Sequence, residues 1–223
     1  IFGALLDQER GGCFRIASIA PACMTRRYLP GTNVLETTFR TPDGLVRVTD
    51  AMTIPCGSEL QPMREVLRLV EGLEGEVPVR FEVQVAPNYG RTAGRLKRHN
   101  DSLWAYTWDN QCVHIESDVA LSSNETRLSG EHAVLPGQRL RSSLTYTKDD
   151  IGVIPALGDT ARDRLDSTAR WWRAWSARSR YAGPYADAVT RSALTLKLMT
   201  HALSGAVIAA PSTSLPESVG AER

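Results

Sequence analysis

The sequence predicts a mainly β protein, an antiparallel two-sheet sandwich that gives way to helix towards its C-terminal end. Three observations carry this. Apolar and polar residues alternate along many short runs between Phe14 and about Thr147, turn-forming clusters break those runs at short intervals, and no helical periodicity falls between them. Many half-buried strands with no helix between them pack best as two antiparallel sheets, face to face.

The clearest strand is Glu76-Val-Pro-Val-Arg-Phe-Glu-Val-Gln-Val85. Its Val77, Val79, Phe81, Val83 and Val85 face one way, and Glu76, Arg80, Glu82 and Gln84 the other. Pro78 lacks an N–H and marks an edge or a strand start. Leu140, Ser142, Leu144 and Tyr146 alternate in the same manner. Further strands are expected at Asn33–Arg40, Leu45–Ala51, Arg64–Glu71, Leu103–Thr107, Val113–Ser117 and Thr126–Val134. Pro42-Asp-Gly44, Glu71-Gly72, Asn88-Tyr-Gly90, Asn100-Asp101, Asp109-Asn110 and Leu135-Pro-Gly137 supply the turns, and in Pro42-Asp-Gly44 Pro presets φ while Gly accepts positive φ. The β domain is expected to end near Lys148, followed by a linker over Asp149 to Ala156.

Helical spacing begins next. Asp159 to Arg180 reads as a helix capped by Asp159 or Thr160, with Leu165, Ala169, Trp172 and Trp175 or Ser176 on its apolar face. Gly183-Pro184 interrupts it and starts a second helix. In that helix Val189, Ala193, Leu196, Thr200 and Leu203 mark one face, while Leu194, Leu198 and Ala202 widen the apolar surface. Burial on more than one side is therefore expected, with Gly205 at the C-cap.

Composition narrows the function classes. Lys plus Arg total 26 against 25 for Asp plus Glu, so bulk charge points to neither nucleic acid nor an anionic membrane. No apolar run reaches the roughly 18–20 residues that span a bilayer. The first residues, IFGALLDQER, show no secretion signal. Both ends are expected to be cuts in a longer chain, and the compartment is expected to be cytoplasmic. Cys13, Cys23, Cys56 and Cys112 lack zinc-ligand spacing; Cys13 and Cys23 could pair in an oxidising compartment, but scattered thiols of a cytosolic protein are expected instead. The histidines at 99, 114, 132 and 201 form no metal motif, and His201 reads as a core residue. No metal or cofactor is expected. The basic run Arg91 to His99 reads as the solvated face of a hairpin.

One family resemblance covers most of the chain. Trp171-Trp172-x-x-Trp175, Tyr181-Ala-Gly-Pro184, Arg191-Ser-Ala-Leu-Thr-Leu-Lys197 and Ala210-Pro-Ser-Thr-Ser-Leu-Pro-Glu217 resemble the glucoamylase and trehalase-like enzymes of glycoside hydrolase family 15. Thr25 to Met52 and Ala86 to Gly94 are similar to that family's N-terminal domain. The resemblance implies a super-β-sandwich over 1–148, a linker and linker helix over 149–182, and the truncated start of an (α/α)6 barrel over 183–223.

It also implies the N-terminal portion of an inverting, exo-acting α-glucosidase. The intact enzyme would act on an α-glucan oligosaccharide or trehalose, with the rest of the barrel as the chain's other partner. The acid/base pair is expected beyond Arg223, so this stretch alone is expected to be inactive. Ser212, Thr213 and Ser214 are expected beside the sugar pocket, where their hydroxyls would bond a glucosyl unit or hold the loop. Glu217 reads as a loop or cap residue, because glycosidic chemistry needs two carboxyls facing one bond.

The rival reading is a stand-alone β-sandwich module that binds carbohydrate or protein. It requires Trp104, Tyr106 and Trp108, which alternate on one face, to be exposed. Aromatics of this size more often fill a core.

Overall fold

The computed structural model describes residues 2–4, 7–55, 64–149, 157–158, 160–201 and 204–209. The expected linker over Asp149 to Ala156 lies outside these apart from Asp149, as do Asp159, Ala202, Leu203 and Cys56.

Among the described residues, twelve strands form two antiparallel sheets. They are β1 (Cys13–Ser18), β2 (Cys23–Tyr28), β3 (Leu35–Arg40), β4 (Gly44–Met52), β5 (Glu65–Gly75), β6 (Val77–Gln84), β7 (Arg95–Arg98), β8 (Leu103–Trp108), β9 (Gln111–Ser117), β10 (Ser122–Asn124), β11 (Arg127–Val134) and β12 (Arg139–Lys148). The smaller sheet runs β1-β6-β11-β10, and the larger β2-β3-β4-β5-β12-β9-β8-β7. The expected sandwich is therefore present, with helices after it.

Alternation built the core as anticipated. Val77, Val79, Phe81 and Val83 of β6 meet Val46 and Val48 of β4, Val70 of β5 and Leu140 and Leu144 of β12 in one buried cluster. Each fully buried side chain of this kind contributes roughly 1.5–3 kcal/mol. Trp104, Tyr106 and Trp108 of β8 join the same cluster, so the exposed aromatic stripe that a binding module would need is absent at these three positions. Arg68 of β5 crosses to the smaller sheet. Its guanidinium donates to the Phe14 carbonyl at 2.5 Å, covers the Phe14 ring at 4.3 Å and pairs with Asp50 at 3.2 Å.

Pro78 belongs to a central strand, since β6 is flanked by β1 and β11. Its missing N–H is tolerated at the second position of the strand. Gly75 turns the chain from β5 into β6 at φ +56, with the Asp43 carbonyl 1.8 Å from where a Cβ would stand, so no other residue fits there.

The chain divides into two compact units, one of Ile1–Tyr28 and Val34–Thr168, the other of Leu29–Asn33 and Ala169–Arg223. The division falls inside α1 (Thr160–Ser176). Leu165, Ala169 and Trp172 are buried on the face that spacing anticipated.

The second helix differs from expectation. α2 (Ala186–Leu198) stops well short of Gly205. Met199 and Thr200 donate back to the Thr195 and Lys197 carbonyls, and His201 then pairs with the Ala206 carbonyl across a Thr200–Val207 bridge. Gly205 does adopt positive φ, +71, but in that bridge's turn rather than at a helix cap. Burial also differs. Leu194 is buried, while Val189, Leu196 and Leu198 are exposed, so the apolar face does not enter this core. His201, past the helix end, is exposed and bonds Ser204 rather than sitting in the core. Within the same unit, Arg191 of α2 donates to the Thr32 carbonyl at 2.8 Å and to the Asn33 side chain, and Asn33 donates to the Leu194 carbonyl at 3.0 Å.

Candidate functional site

Ser212, Thr213, Ser214 and Glu217 lie outside the described residues. What the structure offers instead is a set of buried glutamates on the larger sheet, on the face opposite the core. Glu71 lies on β5, directly across from Arg47 of β4 and Arg139 of β12 in the strand register. It accepts from Arg47 at 2.7 Å, from Arg139 at 3.1 Å and from Arg162 of α1 at 3.3 Å. Six residues before it, Glu65 accepts from Arg164 of α1 at 3.1 Å and from the Thr53 hydroxyl at 2.8 Å. Glu116 of β9 accepts the Leu157 N–H at 3.1 Å. Spacing of two along each strand puts these groups on one face. Their partners come from sheet register, which local sequence does not display.

Two carboxyls in different environments are the usual sign of an acid/base pair. Glu116 has its proton affinity raised by burial and by the charges of Asp118 and Glu65, against the Leu157 bond and Arg164. The geometry argues for a holding role. Glu65 and Glu116 are both buried, and each is committed to a named partner, whereas glycosidic chemistry needs two carboxyls that face a sugar and a water in an open pocket. The network clamps the first half of α1 to the sheet.

Glu71 makes the stability of the fold depend on pH. Burial would raise its affinity for protons, but the Arg47 hydrogen bond and the charges of Arg47, Arg162 and Arg139 outweigh that and hold it below the ordinary glutamate value. The folded state then binds fewer protons than the unfolded state. Its stabilisation is present above the ordinary glutamate value and is lost as pH falls through the lower, folded one. Urea unfolding of the protein and of Glu71→Gln should differ most near pH 7. The gap should narrow below about pH 4.5, and a gap independent of pH would refute the assignment.

The remaining candidates are less productive. Cys112 Sγ lies 3.6 Å from His114 Nε2 on β9. Burial pushes the thiol up to about 11 and, together with His99, pulls His114 down, so both stay neutral near pH 7 and no activated thiolate forms. Cys13, Cys23 and Cys112 are free thiols. No three His, Cys, Asp or Glu side chains among the described residues converge to hold a metal. The basic run supplies β7, an edge strand with three of its four residues exposed, as anticipated. No helix of the described residues is long and apolar enough to cross a membrane. In the second unit, Trp171, Trp172 and Trp175 stack edge-on at 4.9 and 6.2 Å. Beside them a cavity of about 290 Å³ is lined by Trp175, Ser176, Arg178, Ser179, Thr190 and Ala193.

The turn Pro87–Gly90 was expected from its Asn-Tyr-Gly sequence, but its conformation was not. Asn88, Tyr89 and Gly90 take φ of +49, +59 and +77 in succession. Left-handed backbone costs a residue with a Cβ roughly 1–2 kcal/mol, and Asn tolerates it better than Tyr. The turn is held by Arg91 N–H to the Asn88 carbonyl, Thr92 N–H to the Pro87 carbonyl, and Asn88 Nδ2 to Thr92 Oγ1 at 2.7 Å.

The fold thus defines a β-sandwich followed by helices, with its buried charges serving structure. No protein-family model matches the chain. It is similar along its whole length to trehalases: 29% identical over 226 residues to that of Thermoplasma volcanium, 30% over 249 residues to that of Mycobacterium tuberculosis, and 27% over 253 residues to that of Mycolicibacterium smegmatis. Each alignment takes in 100% of this chain and 36% of the relative, so the chain spans about a third of the length of these curated relatives.

Proposed function

We propose that this chain is the N-terminal portion of an inverting, exo-acting α-glucosidase of glycoside hydrolase family 15, with trehalose favoured over α-glucan oligosaccharides as the substrate of the intact enzyme. The observation that carries it is similarity to several trehalases over the entire chain. The domains we propose are a sandwich over 1–148, a linker with its helix over 149–182, and the start of an (α/α)6 barrel over 183–223. Ser212, Thr213 and Ser214 approach the bound glucosyl unit. The compartment is the cytoplasm, where scattered thiols stay reduced.

The acid and base lie beyond Arg223. One carboxyl gives its proton to the glycosidic oxygen as the C1–O bond breaks, and the other takes a proton from the water that adds to C1 from the opposite face. Room for that water sets the carboxyls roughly 6.5–9.5 Å apart. The sandwich serves folding and the rim of the site.

The test is to purify the protein from its source cell, measure its intact mass and follow sugar release by proton NMR. The expected mass is well above the 24.5 kDa of this chain. Trehalose should yield α- and β-glucose in equal first amounts, and maltotriose should release glucose first as the β-anomer. A mass of 24.5 kDa, or no turnover of either sugar, defeats the reading. An α-anomer first from maltotriose defeats inversion alone.

A further inference from the structure

We propose that the left-handed turn at Pro87–Gly90 holds Tyr89 as an aromatic platform for a glucosyl ring, so that the sandwich domain itself contributes a sugar contact. The proposal rests on the α-glucoside reading above.

Strain and exposure coincide here. Tyr89 has φ +59 and ψ +37, a conformation that a bulky residue rarely adopts, yet its side chain is 55% exposed. A ring more than half exposed returns little to the fold for that strain. The surroundings impose it: buried Val85, Ala86 and Pro87 anchor the entry, and the bonds from Arg91, Thr92 and Asn88 close the loop. Strained backbone fixed in this way, with a side chain the core does not use, points to a use outside the fold. Glycine would meet the same turn without strain, so the tyrosine stands there for its ring.

The neighbours select the ligand. Asn88 and Arg91 belong to the same turn and are both exposed, with the Asn88 amide N–H given to Thr92 Oγ1. An exposed aromatic ring on a turn that also carries an amide oxygen and a guanidinium suits a pyranose, which has an apolar C–H face and a rim of hydroxyls. An apolar helix or peptide would call for a wider greasy surface.

The experiment titrates trehalose and maltotriose into the 223-residue chain by saturation-transfer NMR, alongside thermal unfolding, for the native chain and for Tyr89→Phe, Tyr89→Ala and Tyr89→Gly. Native and Phe chains should bind alike. Ala and Gly should bind up to about tenfold more weakly, as expected for one lost stacking contact. Tyr89→Gly should also melt about 2 °C higher, because relief of strain raises stability while removing the site. If the Ala and Gly chains bind as the native one does, or if Gly does not melt higher, the platform is wrong. If no sugar saturates the native chain while the protein from its source cell still hydrolyses trehalose, the platform falls and the enzyme reading stands. Absence of both binding and hydrolysis overturns the two together.

Discussion

Trp108→Ala is expected to destabilise the sandwich by about 3–5 kcal/mol, the usual effect of removing a large aromatic side chain from a packed core. Trp108 is 5% exposed, its ring centroid lies 5.9 Å from that of Tyr106 and 6.2 Å from that of Tyr146, and both pairs are tilted. Deletion therefore removes the transfer term, the two ring contacts and the filling of space between the sheets. Urea unfolding followed by near-UV circular dichroism would measure it. Tyr185→Ala is the control: that ring is 71% exposed, and its loss should change stability by less than about 0.5 kcal/mol. The comparison also separates the two functional classes. A carbohydrate-binding module built on this stripe would lose binding in Trp108→Ala and keep its stability, whereas a core residue loses stability first.

The sandwich was legible because its signals are local. Alternation identifies β6 without knowledge of its neighbours, and Pro42-Asp-Gly44 announces its own turn. β2 was missed for the converse reason. Its six residues, CMTRRY, are all exposed at a sheet edge, so burial imposes no alternation on them. α2 was overextended because periodicity continues past Leu198, while the competing bridge from Thr200 to Val207 depends on pairing that periodicity cannot see. Likewise nothing in Asn88-Tyr-Gly distinguishes an ordinary turn from one that drives tyrosine left-handed. The glutamate clamp required the order β4-β5-β12, which unites strands far apart in the chain. The expected sugar-side hydroxyls at 212–214 remain a proposal resting on family resemblance.

The other large effect should come from that clamp. Glu65 is 2% exposed, and its ion pair with Arg164, at 3.1 Å, is the most buried one described. Removing one partner strands the other charge in a dry site, so Arg164→Ala is expected to cost about 3–5 kcal/mol. The Thr53 hydroxyl, 2.8 Å away, bonds Glu65 but carries no charge to replace the guanidinium. The surface pair Arg80–Glu131 gives the contrast. Its geometry is shorter, 2.6 Å, yet its side chains are 49% and 55% exposed to screening solvent, and its loss should change stability far less. A double-mutant cycle with Glu65→Leu and Arg164→Leu isolates the coupling, expected above about 2 kcal/mol, with the double variant more stable than either single one. Additive losses would mean that α1 is held by its apolar face alone. Strong coupling would mean that the first half of this helix is fastened to the sheet by charge, through a pair that the apolar face cannot replace.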